Sequence, residues 1–285
     1  MYALSQYAFA VGLAALSLAM FLYVLHVLGA RALTALSFAN GGSMTLSPAF
    51  DVAGRYATIL TVNAFVFITA CLAFRWEASG HGPFSNMWEF SVAFAWGALA
   101  LYLYFELRYR LRTLALLVLP IALAMLVYAT TVPSDIQPLV PALQNNLLLT
   151  VHVAVAIIAY GAFALAFGAA VLFLIQRKDS IRWLPRSTVL DEMGYKAVMV
   201  GFPMMALVII LGALWADIAW GTYWSWDPKE TASLVTWLIY GAYLHARVIR
   251  GWRGDRSAFL LVLGFGATLF TYFGNLFFGG LHSYA

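Results

Sequence analysis

Eight stretches of about twenty residues or more run through this chain almost without charge. They cover roughly 6–28, 56–76, 87–106, 112–131, 147–175, 195–215, 231–250 and 257–280. A helix rises 1.5 Å per residue, so about 20 apolar residues cross the hydrocarbon layer of a bilayer. Inside lipid a backbone must satisfy its own polar groups, and only helices and closed barrels do so. Barrel strands would show alternating segments of about ten residues, and these runs do not alternate. Composition agrees: 64% of residues are hydrophobic and 10% charged, against roughly 25% charged in soluble domains. The reading is an all-α polytopic membrane protein of about eight transmembrane helices. It forms a single integral membrane domain over 1–285, with the N-terminal run kept as a first span rather than removed as a signal peptide.

Charge orients the spans. Fourteen of the sixteen basic residues fall in one set of loops, leaving Arg75 and Lys229 in the other. The positive-inside rule places the fourteen in the cytoplasm and both termini outside. Six acids and two bases give the outer loops −4, a rim that would favour a basic partner protein. The scatter of the basic residues over short loops is no nucleic-acid signal. Loop 29–55 holds Gly, Ser, Asn and Pro and is expected to leave the helix. Loop 176–194 is basic and expected to lie against anionic lipid. Cys71 is the lone cysteine, inside an apolar run, so no internal disulfide or Cys-x-x-Cys pair exists.

Between the sixth and seventh spans lies WADIAWGTYWSWDPKE at 215–230, on the outer side by this topology. Trp is common at membrane interfaces as an anchor. Trp215, Trp220, Trp224 and Trp226 with Tyr223 are denser than anchoring needs, and suit a large flat apolar ligand. His152 sits near the outer end of the fifth span and His282 just beyond the eighth. Two imidazoles from different helices then flank the aromatic shelf at one depth, which suits axial ligation of haem iron. A structural zinc site, which wants four protein ligands, fits less well.

The wording WGTYWSWDPKE resembles the tryptophan-rich signature of haem-handling proteins, and is closest to the CcsA (ResC) family of cytochrome c biogenesis. GHGPFSNMWEF at 80–90, TVHVAVAIIAYGAF at 150–163 and GLHSY at 280–284 match the same family, so the resemblance runs from about 75 to 285. It implies that His152 and His282 are outer haem ligands. It implies that His245 belongs to an inner haem site whose second ligand comes from a CcsB (ResB) partner chain. It also implies that haem b, moved outward, is presented to the Cys-x-x-Cys-His thiols of an apocytochrome c. The membrane would be a bacterial cytoplasmic membrane or a thylakoid-type equivalent. No side chain stands out as an acid, base or nucleophile, so catalysis would be mainly positioning within a synthase complex. CcmC-like haem delivery, a HemX-like regulator and a transporter of an unrelated solute remain as alternatives.

Other residues carry weaker expectations. His245 lies fifteen residues past Glu230, about 22 Å deeper along one helix. His26, near the inner end of the first span, would approach that inner site. His81 has no ligand role, while Asn86, Trp88 and Glu89 either wall the outer site or cap the third span. Arg75 is expected to pair with a haem propionate. Lys229 would instead pair with Asp227 or Glu230, and Asp227 before Pro228 would cap the seventh helix.

Overall fold

The computed structural model describes residues 1–40, 48–137, 139, 146–176, 179–274 and 277–282. Among these the chain forms eight α-helices and no strand. They are α1 Tyr2–Asn40, α2 Pro48–Ser79, α3 Met87–Tyr109, α4 Ala115–Ala129, α5 Asn146–Ile175, α6 Ser187–Trp220, α7 Pro228–Ile249 and α8 Asp255–Phe273. A 3-10 turn at Arg112–Leu114 leads into α4. Seven of the helices, α4 taken with that turn, are long and apolar enough to cross a membrane.

The exception, α7, is explained by where its polar residues point. Its 22 residues reach about 33 Å, enough to span. Glu230, Ser233, Thr236, Tyr240, Tyr243 and Arg247 are buried in the bundle, three or four residues apart on one face. Val235, Leu238, Val248 and Ile249 are exposed on the others. Two of these find partners across the bundle: Thr236 bonds Thr271 at 3.0 Å, and Arg247 pairs with Asp191 at 2.7 Å. Low apolarity in α7 is the mark of a helix with a polar inner face, which a membrane bundle accommodates.

Helix α5 is the centre, packed against α3, α4, α6 and α8. Its middle is small and apolar: Ala159, Ala162, Ala164, Ala166 and Ala169 are fully buried. A Cβ added at Gly161 would lie 2.6 Å from the Gly97 carbonyl oxygen of α3. Glycine there lets two backbones touch, the usual device where lipid supplies no hydrophobic drive between helices. The paired helices α1 and α2 pack beside this group.

Three expectations change. Helix α1 continues to Asn40 and α2 begins at Pro48, so most of 29–55 is helical. The breakers are concentrated in 40–48, while Ala30–Leu36 is rich in good helix formers; residues 41–47 lie outside those described. The aromatic loop is shorter than 215–230, because α6 runs to Trp220 and ends on Gly221 in the left-handed region (φ 74°). Helix α8 stops at Phe273, short of 280.

Candidate functional site

One end of the bundle gathers the N-termini of α3, α5 and α7, the C-terminal end of α6, and the segment after α8. A cavity opens there, lined by Phe90 and Phe94 of α3, His152 and Tyr160 of α5, Trp215 of α6, Tyr223 and Trp224 of the loop, Lys229 and Glu230 of α7, Tyr272 of α8, and His282. The two histidines expected to act together are therefore in one cavity with aromatic walls.

His152 owes its place to a glycine. A Cβ at Gly212 of α6 would come within 2.9 Å of His152 Cε1, so the ring occupies space that only glycine leaves. Its Nδ1 is buried with no hydrogen-bond partner among the described residues. An unmet polar atom costs about 1–3 kcal/mol, a cost that a ligand taking its lone pair would remove.

His282 is held differently. Its Nδ1 lies 2.9 Å from Asp227 Oδ1. A carboxylate only accepts, so Nδ1–H donates and the neutral ring carries its lone pair on Nε2. This is the carboxylate–histidine arrangement that orients metal-binding imidazoles. Asp227 is fixed in turn: Oδ1 accepts from the Lys229 amide at 2.9 Å, and Oδ2 from the Leu281 amide at 2.6 Å. A Cβ at Gly280 would collide with Asp227 Oδ2, so glycine permits this approach. Trp220 lies edge-on to the His282 ring at 4.8 Å, and Trp215 is tilted against it at 5.7 Å. Burial and the Lys229 ammonium push the His282 imidazole down to about 4, against the pull of Asp227. Burial alone would raise the Asp227 carboxyl, but the Lys229 amide, His282 and the Leu281 amide hold it below the usual range.

The loop is knotted by Glu230. Its Oε2 accepts from the amides of Ser225 (2.8 Å) and Asp227 (3.3 Å) and from Ser225 Oγ (3.2 Å). With Asp227 this is a capping box on α7, with Pro228 in the first turn. Trp226 is forced to φ 60°, an unusual conformation for a bulky residue. Its ring is 68% exposed and stands edge-on to Trp224 at 5.7 Å. The four tryptophans thus divide: Trp215 and Trp224 line the cavity, Trp220 backs His282, and Trp226 is exposed and not among the lining residues.

Arg75 is not among the lining residues. It is fully buried, its Nε 2.7 Å from Glu89 Oε1, with Trp88 and Tyr2 rings over its guanidinium. Glu89 also accepts from the Ser85 amide and hydroxyl, and Asn86 Oδ1 caps α3 through the Glu89 amide at 2.9 Å. The SNMWEF segment caps α3 and anchors Arg75 through Nε, while Arg75 Nη1 and Nη2 are buried with no hydrogen-bond partner among the described residues. The cation at the cavity is Lys229. Among the described residues it forms no ion pair with Asp227 or Glu230, and it lies 5.6 Å from the Phe90 ring. Adjacency in sequence suggested pairing, but both carboxylates are directed into backbone amides. Sequence reasoning also missed Gly212, whose role appears only when α6 lies against α5, and the aromatic wall from α3 and α8.

The remaining histidines do not join this cavity. His81 is buried, with Nδ1 2.9 Å from the Gly82 carbonyl. His26 lines a separate polar cavity at the opposite end with Asp51, Arg55, Glu106, Arg110 and Arg112. Its Nδ1 is 2.8 Å from the Phe50 carbonyl oxygen. His245 is exposed on α7, away from His26.

Fold and site together define a class: an integral membrane helical bundle with two imidazoles and aromatic rings converging on one cavity. Residues 84–282, from the α3 cap to His282, match the family model described as cytochrome C assembly protein. A cytochrome c biogenesis protein CcsA of Guillardia theta is 40% identical over 252 residues, covering 79% of this chain and 83% of that one. The CcsA of Pyropia yezoensis is 33% identical, covering 87% and 95%. The chain belongs to the CcsA family of cytochrome c biogenesis proteins. Among solved structures, the cytochrome c heme lyase CcmF superposes with a TM-score of 0.62 at 20% identity. That likeness, one of fold, covers 93% of this chain and 46% of the CcmF chain.

Proposed function

We propose that the cavity binds haem b with its iron between His152 and His282, and that the chain presents it for covalent attachment to apocytochrome c. The observation that carries this reading is the convergence of the two imidazoles on one aromatic-walled cavity: one ring has an unmet buried nitrogen, the other is held by a carboxylate. The residues fit the group. Aromatic walls suit a flat porphyrin, neutral imidazoles suit its iron, and Lys229 supplies a cation for a propionate. The distribution of basic residues supports an outer, periplasmic or lumenal position for this end.

Haem reaches the cavity from the inner side with the help of a CcsB-like partner. His245 supports this, being an imidazole exposed on a helix face that otherwise shows Val235, Leu238 and Ile249. An exposed imidazole in the membrane calls for a partner there. Attachment joins apocytochrome thiols to haem vinyl groups, and the chain contributes by holding the acceptor still.

The test is to purify the chain with and without a CcsB partner and record oxidised and dithionite-reduced absorption spectra. A low-spin haem spectrum altered by His152→Ala and by His282→Ala is the expected result. Colourless protein from haem-replete cells would sink the reading and favour a different flat apolar cargo.

A further inference from the structure

Glu230 does more in this structure than a helix cap requires. The capping work falls on one oxygen, Oε2, which accepts from Ser225 and Asp227. The other, Oε1, is buried with no hydrogen-bond partner among the described residues, and the residue lines the cavity that holds both histidines. A carboxylate oxygen has lone pairs to fill and is costly to leave bare.

Several other polar groups at the cavity are occupied. Ser233 Oγ donates to the Glu230 carbonyl at 2.7 Å. Thr271 Oγ1 donates to the Ala267 carbonyl, and the Tyr272 hydroxyl bonds Ser91. Lys229 is a cation, and the two imidazoles serve the iron in the reading above. Glu230 is the carboxylate among the residues lining the cavity, and its bare Oε1 is placed to accept a reacting proton.

We propose that Glu230 is a catalytic residue that relays the proton of thioether formation, an assignment resting on the haem reading above. An apocytochrome thiol gives its proton to the Glu230 carboxylate as sulfur attacks a vinyl group. The S–H bond breaks, a C–S bond forms, and the vinyl double bond becomes single. The carboxyl then delivers its proton to the neighbouring vinyl carbon, forming a C–H bond and restoring the carboxylate. Thiol plus alkene gives thioether, with no oxidant or reductant consumed. The Ser225 and Asp227 amides on Oε2 hold the carboxylate so that its second oxygen stays directed away from the loop.

Glu230→Gln separates the two roles, because the amide oxygen still accepts from Ser225 and Asp227 while the relay is lost. Each protein is made with a CcsB partner and a reporter c-type cytochrome. Wild type and Glu230→Gln are expected to purify with equal haem and the same spectra. Covalent attachment to the reporter falls by about 10²–10⁴-fold in Glu230→Gln, and Glu230→Asp, which keeps a carboxylate, attaches faster than Glu230→Gln. Time-resolved infrared difference spectra on adding a Cys-x-x-Cys-His peptide give a second readout: a protonated carboxyl band that rises and decays during attachment in wild type and is missing in Glu230→Gln. Attachment by Glu230→Gln at the wild-type rate overturns the assignment. So does loss of its haem in step with attachment, which would make Glu230 a holder. Colourless wild type overturns the haem reading itself.

Discussion

The two ends of the bundle treat histidine in opposite ways. At the Trp-loop end, His152 and His282 come from segments 130 residues apart and meet in one cavity, the second oriented by Asp227. At the arginine-rich end, His26 and His245 do not meet. One is bonded to the Phe50 carbonyl among charged groups, and the other faces outward from α7. At the first end two imidazoles share a cavity; at the second they line no common cavity. The largest effect expected from this contrast is at the first end. His152→Ala or His282→Ala should abolish or recast the low-spin haem spectrum of the purified chain, with the protein otherwise folded. Retention of the wild-type spectrum by both would break the contrast.

Stability and ligand holding separate at the same end. Arg75 and Glu89 form a fully buried pair beside the cavity but outside it. Removing one partner strands the other, at about 3–5 kcal/mol. Arg75→Met should therefore lower the thermal denaturation midpoint in detergent strongly, while haem per folded molecule stays at the wild-type level. A stable Arg75→Met protein that lost haem would return Arg75 to the propionate role. Asp227→Asn should act in the other sense. It keeps the size of the side chain but weakens the hold on His282, and haem affinity should fall about 10–100-fold, measured by haem titration.

The His282 environment also fixes a pH dependence. Iron competes with protons for the ring lone pair. With its folded value pushed down to about 4, His282 stays neutral well below the ordinary 6.5. Ligation followed by absorbance should therefore persist as pH falls from 7 to about 5, and fail only below about 4, since iron holds the lone pair against the proton. Stability runs the same way: the unfolded chain takes up a proton below about 6.5 that the folded one refuses until about 4, so acid between those values favours unfolding. Lys229→Met removes a cation that holds His282 down, so the loss of ligation should move to higher pH. An unmoved profile would show that burial alone sets the value.

Much of this was legible in the sequence, for reasons that also mark its limits. Long apolar runs exposed the helices, because lipid leaves the backbone few alternatives. His152, His282 and the tryptophans stood out because they lie at the ends of such runs. What failed was inference from adjacency. Lys229 sits between Asp227 and Glu230 in sequence, yet both carboxylates serve amides. Arg75 is polar and at a span end, but nothing in the sequence showed that Glu89 from another helix would take its Nε. Gly212 and Gly280 carried no signal, since a glycine's work is visible only in what approaches it. The polar inner face of α7 was readable by spacing, but its partners on α8 and α6 were not.

The smallest expected effect sharpens the contrast most. His245→Ala in the chain purified alone should leave the outer spectrum, the denaturation midpoint and haem titration unchanged. The imidazole is exposed and lines neither histidine-bearing cavity, so its removal takes away no contact that the outer site uses. Along α7 it lies fifteen residues from Glu230, about 22 Å at the helical rise, well beyond direct coordination at that end. In the presence of a CcsB partner the same substitution should lower haem content, because a ligand shared between chains exists only when both are there. His26→Ala is the control, since His26 points into a charged cavity between α1, α2 and α3 rather than toward α7. If His245→Ala reduced outer haem in the isolated chain, the two ends would be coupled within one polypeptide. The line of buried polar residues on α7, from Glu230 to Arg247, would then be the first place to look for the coupling.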